Sequence, residues 1–156
     1  MFSVRPFTVE DAAQVAALVR KTLVTSNVPD YTLESMEEFA AIHTTEYIID
    51  RSRWMHFHVV LDGETVVGCG AIGPHEDSLT ESEFYTIFVL PEYQGKGCGK
   101  LILDALEQDE YFLRAKRVVI ASSITARDFY MKYGYQYAAG GDILDEEDLY
   151  TLEKNR

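Results

Sequence analysis

The segment Phe84–Lys100 limits the fold of this chain more than any other, because a strand, a glycine loop and a helix start follow one another there. The apolar run Phe84–Leu90 predicts a strand, and Pro91 ends it. Gln94-Gly-Lys-Gly-Cys-Gly99 predicts a tight loop, and the pattern of Lys100–Glu107 predicts a helix. This order aims free backbone N–H groups and the positive end of a helix dipole at one point. The segment therefore predicts a site for a phosphate or pyrophosphate.

The spacing of this loop excludes the two common nucleotide-binding loops. A P-loop has Gly, four residues and then Gly-Lys-Ser/Thr, so that a hydroxyl reaches magnesium. No Ser or Thr follows Lys96 or Lys100, so magnesium-dependent ATP binding is not expected. A dinucleotide loop has Gly-x-Gly-x-x-Gly near the start of its domain. Here three glycines alternate past the middle of the chain.

Two blocks of the sequence resemble the GNAT superfamily of acyl-CoA-dependent N-acyltransferases. The stretch from Ile87 to Lys100 is similar to the acetyl-CoA signature of that family. Ser123-Ile-Thr-Ala-Arg-Asp-Phe-Tyr-Met-Lys-Tyr-Gly-Tyr135 resembles the family's later motif Asn-x-x-Ala-x-x-x-Tyr-x-x-x-Gly-Phe. The order, the separation and the length of the chain fit the family. Ser123 departs from the usual Asn, so it retains one hydrogen bond to the cofactor but not a two-sided amide contact.

The resemblance implies an α/β (α+β) fold, with a mixed, mostly antiparallel central sheet flanked by helices on both faces. One domain is expected over residues 1–156. Residue patterns agree: Asp62-Gly63 predicts a hairpin, Thr8-Val-Glu-Asp11 predicts a capping box, and Thr22–Trp54 reads as helix in pieces to about Arg51. The expected strands are Phe2–Pro6, Trp54–Leu61, Glu64–Ile72, Glu81–Leu90, Arg117–Ala121, Tyr135–Ala139 and Leu149–Glu153. After Lys100–Glu107, a further helix is expected over Ile124–Tyr133.

The resemblance also implies how acetyl-CoA binds as acyl donor. The pantetheine amides are expected to pair with the backbone of the central strand, and the pyrophosphate with main-chain N–H groups of the glycine loop. The expected cofactor-binding residues are Ile87, Phe88, Val89, Gln94, Gly95, Lys96, Gly97, Cys98, Gly99, Lys100 and Ser123.

Acyl transfer to an amine requires a neutral amine, a polarised thioester carbonyl and a proton for the departing thiolate. Tyr130 matches the family tyrosine and is the candidate proton donor, since a phenol is protonated at neutral pH. On a helix it would share one face with Ala126 and Ser123. Cys98 stands where the family has an aliphatic residue, and the family transfers the acyl group directly, so Cys98 is expected to serve packing.

Glu83 is the candidate base, because some family members use a glutamate at this strand position to take the amine proton. Strand alternation predicts that Glu83 lies on the same side as Tyr85, Ile87 and Val89. Glu81 or a histidine-bound water are the alternatives.

Composition and charge limit the classes of partner that the protein is expected to bind. The net charge of −12 disfavours nucleic acid, and the acidic excess either favours a cationic amine or serves solubility. No apolar run approaches the ~18 residues of a membrane span. No signal-peptide pattern is present, and Cys69 and Cys98 are expected as free thiols, so we expect a cytoplasmic protein. No metal site is predicted, since His56 and His58 lack a third ligand with defined spacing.

The function predicted from these features is transfer of an acetyl group from acetyl-CoA to a primary amine, of a small molecule or of a protein, by direct attack. The alternative is a catalytically idle acyl-CoA-binding sensor or interaction module. The acceptor would be set by Thr22–Trp54 and by the loops near His75 and Tyr137, which leave its identity open. A homodimer is equally left open.

Overall fold

A seven-stranded sheet runs through the structure, a computed structural model that describes residues 1–156. The strands are β1 (Phe2–Pro6), β2 (His56–Asp62), β3 (Thr65–Pro74), β4 (Glu81–Val89), β5 (Arg117–Ser122), β6 (Gln136–Tyr137) and β7 (Tyr150–Asn155). Their order in the sheet is β1-β2-β3-β4-β5-β7-β6. Only β4 and β5 run parallel, and every other neighbouring pair is antiparallel.

Six α-helices accompany the sheet. They are α1 (Ala12–Thr25), α2 (Leu33–Ile42), α3 (Thr45–Arg51), α4 (Cys98–Leu106), α5 (Glu110–Leu113) and α6 (Arg127–Lys132). One face of the sheet carries α4, whose Ile102 and Leu106 join a cluster with Val60 and Phe84. The other face carries α1 to α3, which share a second cluster with strand residues such as Val59. The predicted mixed sheet with helices on both faces is confirmed.

Local sequence signals account for the first half of the chain. The carboxylate of Asp11 accepts a hydrogen bond from the Thr8 N–H at 2.8 Å, which is one half of the predicted capping box. This capped turn leads directly into α1, where Val15 and Val19 are fully buried. Asp62 pairs with Thr65 across the predicted hairpin turn. The helical segment after Thr22 ends at Arg51, as predicted.

The second half departs from prediction at several places: α4 begins at Cys98 rather than Lys100, α5 was not predicted, and β7 spans Tyr150–Asn155 rather than Leu149–Glu153. Helix α6 begins at Arg127 rather than at Ile124, because the Ser123 hydroxyl accepts a hydrogen bond from the Ala126 N–H at 3.1 Å and holds the preceding residues in a turn. The closing pair is also shorter, since β6 contains only Gln136 and Tyr137. The chain turns away three residues later, at Gly140, which has a φ of 107°.

Candidate active site

Strands β4 and β5 separate part-way along the sheet. They pair only where Glu81–Phe84 lies beside Arg117–Ile120. Beyond that point β4 stays paired with β3 as far as Val89, while its other edge has no strand partner. The backbone polar groups of Tyr85–Val89 that do not pair with β3 therefore face an opening on the β5 side. An extended ligand with amide groups can add to such an edge as an extra strand would.

A β-bulge at Thr86 lies at the start of this opening. The register between β3 and β4 shifts between Cys69 and Ala71, and Thr86 has a φ of 53°. The Cys69 thiol donates to the Thr86 carbonyl at 3.2 Å, and burial raises the pKa of this thiol to about 12. Opposite the bulge, a Cβ on Gly70 would collide with Ile102, so this glycine is what lets α4 lie close on the sheet.

The bulge reverses the side-chain alternation of β4, because it adds one residue to one strand. Glu83 and Tyr85 lie on one face, where Tyr85 packs against the cluster of Met55, Phe57 and Ala71. Ile87 and Val89 pack on the opposite face, with the cluster around α4. The prediction that all four residues share one side is therefore wrong for Ile87 and Val89.

The glycine loop exposes a row of backbone donors at the far end of the opening. Gly95 and Gly97 have φ values of 76° and 91°, which L side chains rarely adopt. Helix α4 follows at once, and its first helical bond runs from the Leu101 N–H to the Gly97 carbonyl. The six consecutive N–H groups from Gly95 to Lys100 donate to no acceptor in the protein. Such a row at a helix N-terminus suits a pyrophosphate.

The two lysines of the loop differ in their surroundings. The Lys100 ammonium pairs with the Asp104 carboxylate at 2.7 Å on the outer face of α4. The Lys96 ammonium has no carboxylate partner and lies 5.4 Å from the centre of the Tyr93 ring. Lys96 is therefore the loop cation that is free to meet a phosphate.

Gln94 and Cys98 have structural contacts that the sequence did not indicate. The Gln94 amide donates to the Val89 carbonyl and to the Ser26 hydroxyl, both at 3.0 Å, and so ties the loop to β4 and to the end of α1. Cys98 is buried within the cluster around α4, and burial raises the pKa of its thiol. A buried thiol in its neutral form is a poor nucleophile.

A cavity of about 700 Å³ connects the glycine loop with the residues predicted to be catalytic. Nine of the predicted site residues line it: Glu83, Ile87, Phe88, Val89, Gln94, Gly95, Gly99, Ser123 and Tyr130. The other four, Lys96, Gly97, Cys98 and Lys100, lie in the loop without lining the cavity. The sequence thus identified residues that meet around one space, although they are up to 47 positions apart (130 − 83).

Tyr130 lies at the wall of this cavity. Its side chain packs against the Phe129 and Tyr135 rings, and only 5% of the residue is exposed. Burial raises the pKa of its phenol, which therefore stays protonated at neutral pH. The hydroxyl makes no hydrogen bond within the protein, so its proton is available to a ligand.

Two neighbouring side chains, His75 and Tyr85, hold the Glu83 carboxylate. Its Oε1 lies 2.8 Å from Nδ1 of His75 and 3.3 Å from the Tyr85 hydroxyl. The Tyr85 hydroxyl also donates to the Pro74 carbonyl at 2.9 Å. Burial, followed by the charge of Glu83, raises the pKa of Tyr85, so this phenol stays protonated and its single proton is shared between the Pro74 carbonyl and the carboxylate. The carboxylate is thereby fixed with one oxygen still uncommitted.

The sequence profile of the acetyltransferase (GNAT) domain matches residues 27–144, about three quarters of the chain. This protein belongs to the GNAT acetyltransferase family.

Solved structures share the fold of this GNAT domain. The PaiA N-acetyltransferase of Thermoplasma acidophilum, in complex with coenzyme A, has a TM-score of 0.83 and 17% identity, over 100% of this chain and 99% of that one. A GCN5-related N-acetyltransferase of Rhodopseudomonas palustris has a TM-score of 0.80 and 23% identity, over 99% and 95% of the two chains. The N-acetylglutamate synthase of Neisseria gonorrhoeae, complexed with coenzyme A and L-arginine, has a TM-score of 0.66 and 16% identity. The match covers 99% of this chain and 33% of the synthase.

No curated protein matches the sequence significantly. None of the helices of this GNAT domain has the length and apolar character needed to cross a membrane.

Two parts of the site were missed by the sequence prediction. The Tyr31 hydroxyl accepts from the Ile124 N–H and donates to the Asp148 carbonyl, both at 2.8 Å, and so bridges the loops over the cavity. Arg51, the last residue of α3, also lines the cavity. Both fall in Thr22–Trp54, the segment expected to set the acceptor, but no local pattern distinguishes them from surface residues.

Proposed function

We propose that this GNAT domain transfers an acetyl group from acetyl-CoA to a primary amine, by direct attack of the amine on the thioester. Family membership supports an acyltransferase. Coenzyme A in the PaiA N-acetyltransferase and in the N-acetylglutamate synthase supports a CoA-type donor. The observation that carries the proposal is one cavity that is lined by the open edge of β4, by Gly95 and Gly99 of the glycine loop, by Tyr130 and by Glu83.

The residues present fit such a donor. The free amides of Gly95–Lys100 suit the pyrophosphate, with Lys96 as the nearby unpaired cation. The unpaired edge of β4 along Ile87–Val89 suits the pantetheine amides, and the Ser123 hydroxyl keeps its proton for one further hydrogen bond. Acetyl-CoA supplies the activated acetyl group.

Glu83 would take a proton from the acceptor amine, directly or through water, because it lines the cavity and its second oxygen has no hydrogen-bond partner in the protein. The amine nitrogen then attacks the thioester carbonyl carbon, so that a C–N bond forms and the C–S bond breaks. Tyr130 would give its phenol proton to the departing sulfur, and the proton lost from nitrogen restores the phenol through solvent. No covalent enzyme intermediate is needed, in agreement with the buried and neutral Cys98.

Calorimetric titration with acetyl-CoA, followed by a free-thiol release screen over a panel of amines, tests this function. We expect saturable binding, and thiol release with one class of amine. Binding without release on any amine would favour the idle acyl-CoA-binding module instead. Absence of binding would refute both. ATP with magnesium is the matched negative control, since the loop lacks the hydroxyl residue that a P-loop requires.

A further inference from the structure

Arg51 is the only one of the eight arginines whose side chain makes no hydrogen bond and no ion pair within the protein. Two other arginines have partners: Arg53 pairs with the Asp50 carboxylate at 2.7 Å, and Arg20 donates a hydrogen bond to the His43 carbonyl at 2.7 Å. Nε of Arg51 is fully buried without a partner. A buried N–H donor without a partner costs free energy unless a ligand or a water molecule satisfies it, although the rest of the Arg51 side chain is only half-buried. Arg51 lines the proposed acetyl-transfer cavity.

Three aromatic rings surround the Arg51 guanidinium. Its Cζ lies 5.1 Å from the ring centres of both Tyr47 and Trp54, and 5.5 Å from that of Tyr85. Rings at these distances hold the planar group by cation–π contact while offering it no hydrogen-bond acceptor. The guanidinium is therefore oriented but not neutralised. A planar fork of donors held in this way is suited to a carboxylate.

Tyr85 connects this cation with the proposed base. Its ring contacts Arg51, and its hydroxyl lies 3.3 Å from the Glu83 carboxylate. One end of the cavity therefore presents a positive group and a negative group on either side of one tyrosine. The free amides of the glycine loop lie beyond the opposite end of the open β4 segment, so a coenzyme phosphate at Gly95–Lys100 leaves Arg51 without an anion.

We propose that the acceptor is a free amino acid, whose carboxylate binds to Arg51 and whose amine faces Glu83. The proposal rests on the acetyl-transfer function proposed above and names its substrate class. A purely cationic amine would leave Arg51 without a partner. The carboxylates of Glu147 and Asp148 also line the cavity, but they belong to the loop that Tyr31 holds, on the other side of the opening.

The fluorescence of Trp54 provides a binding assay that does not require turnover. Trp54 is the only tryptophan of the chain, and it contacts the Arg51 guanidinium directly. With coenzyme A at saturation, each L-amino acid and its corresponding carboxamide are titrated against the wild-type protein. We expect at least one amino acid to give a saturable change, with a Kd at least tenfold lower than that of its amide. Equal binding of acid and amide, or no saturable change with any amino acid, would overturn the proposal.

Variants of neighbouring arginines locate the contact. R51Q should remove the preference for acid over amide, whereas R53Q, whose side chain is exposed on the same turn of chain, should leave it unchanged. A preference that survives in R51Q would refute the assignment. The comparison on the wild-type protein stands even where R51Q folds poorly. The free-thiol screen separates the two proposals: release with amines that lack a carboxylate, and with no amino acid, refutes the substrate class but retains the acetyltransferase.

Discussion

Nδ1 of His75 lies 2.8 Å from Oε1 of Glu83, so a histidine just after β3 holds a carboxylate on β4. The loop between them is tight, with Glu76 and Asp77 at φ values of 47° and 61°. Because a carboxylate only accepts, Nδ1 of His75 carries the donated proton. Nε2 of the same ring points toward the loop and lies 3.9 Å from the Glu76 carboxylate. The Glu83 carboxylate is thus oriented by its surroundings, as a base that must meet an amine at a defined point would be.

Replacement of Glu83 by Gln should lower kcat by ~10²-fold, because the variant cannot take a proton from the amine. The Kd for acetyl-CoA should stay within a factor of two. E81Q is the matched control, since Glu81 lies two residues earlier on β4 but pairs with Arg117 at 3.1 Å and does not line the cavity. Steady-state kinetics with free-thiol detection measures both. A large loss in E81Q together with normal turnover in E83Q would reassign the base.

Replacement of Tyr130 by Phe should lower kcat by ~10²-fold with near-normal cofactor binding, in the range for loss of one general acid. Stability should change little, because the Tyr130 hydroxyl makes no hydrogen bond within the protein. Y133F is the control: Tyr133 lies on the same turn of chain but does not line the cavity. Wild-type turnover in Y130F would remove this residue from the mechanism, whatever Y133F does.

The glycine loop and the fold were predictable because their signals are local. Glycine adopts the left-handed backbone seen at Gly95 and Gly97 without strain, so the alternating glycines are a local signal for this loop. The hairpin at Asp62-Gly63 and the capping box at Asp11 are equally short-range. Such signals indicate where several elements begin and end. The two sequence blocks that resemble the GNAT family then imply how the elements are arranged in the fold.

The side-chain directions on β4 and the role of Arg51 were not predictable in this way. Thr86 is β-branched and disfavours a φ of 53°, so nothing in its own sequence indicates the bulge. The irregularity arises from pairing with β3, where Gly70 admits α4. That Arg51 lacks a partner depends on which carboxylates the fold brings near it. Both features depend on contacts between residues far apart in the sequence, and such contacts are seen only in the folded chain.

Replacement of Gly97 by Val should raise the Kd for acetyl-CoA at least tenfold, because a branched side chain disfavours the φ of 91° and turns the loop amides away from a common point. No protein atom lies within 4 Å of a Cβ there, so the effect is conformational rather than a collision. G63V is the control: Gly63 has a φ of 63° in the β2–β3 turn and equally open surroundings. Both variants should lose about 1–2 kcal/mol of stability. Calorimetry should show weaker binding in G97V only, and equal affinities would refute the loop assignment.

The ion pair between Arg5 and Asp11 predicts how stability depends on pH. The guanidinium donates to both carboxylate oxygens, at 2.7 and 2.9 Å, and the Asp11 side chain is 6% exposed. The hydrogen bonds from Arg5 hold the pKa of Asp11 below its ordinary value of 3.8. A carboxylate whose pKa is lowered by folding stabilises the protein above its unfolded-state pKa. That stabilisation is lost as pH falls through the folded-state pKa.

R5Q should therefore lower the free energy of unfolding by about 1.5 kcal/mol at pH 7, the low end of the range for a hydrogen bond to a charged group, because the Arg5 side chain is 43% exposed and solvent screens the pair. The difference from wild type should shrink below pH 4, as the Asp11 carboxylate of both proteins becomes protonated. Urea unfolding at a series of pH values measures this. R53Q is the control. Both side chains of the Arg53–Asp50 pair are exposed to solvent, so this pair should contribute less than about 1 kcal/mol. A difference between R5Q and wild type that is constant from pH 7 to pH 2 would mean that Arg5 acts through packing rather than through the charge of Asp11.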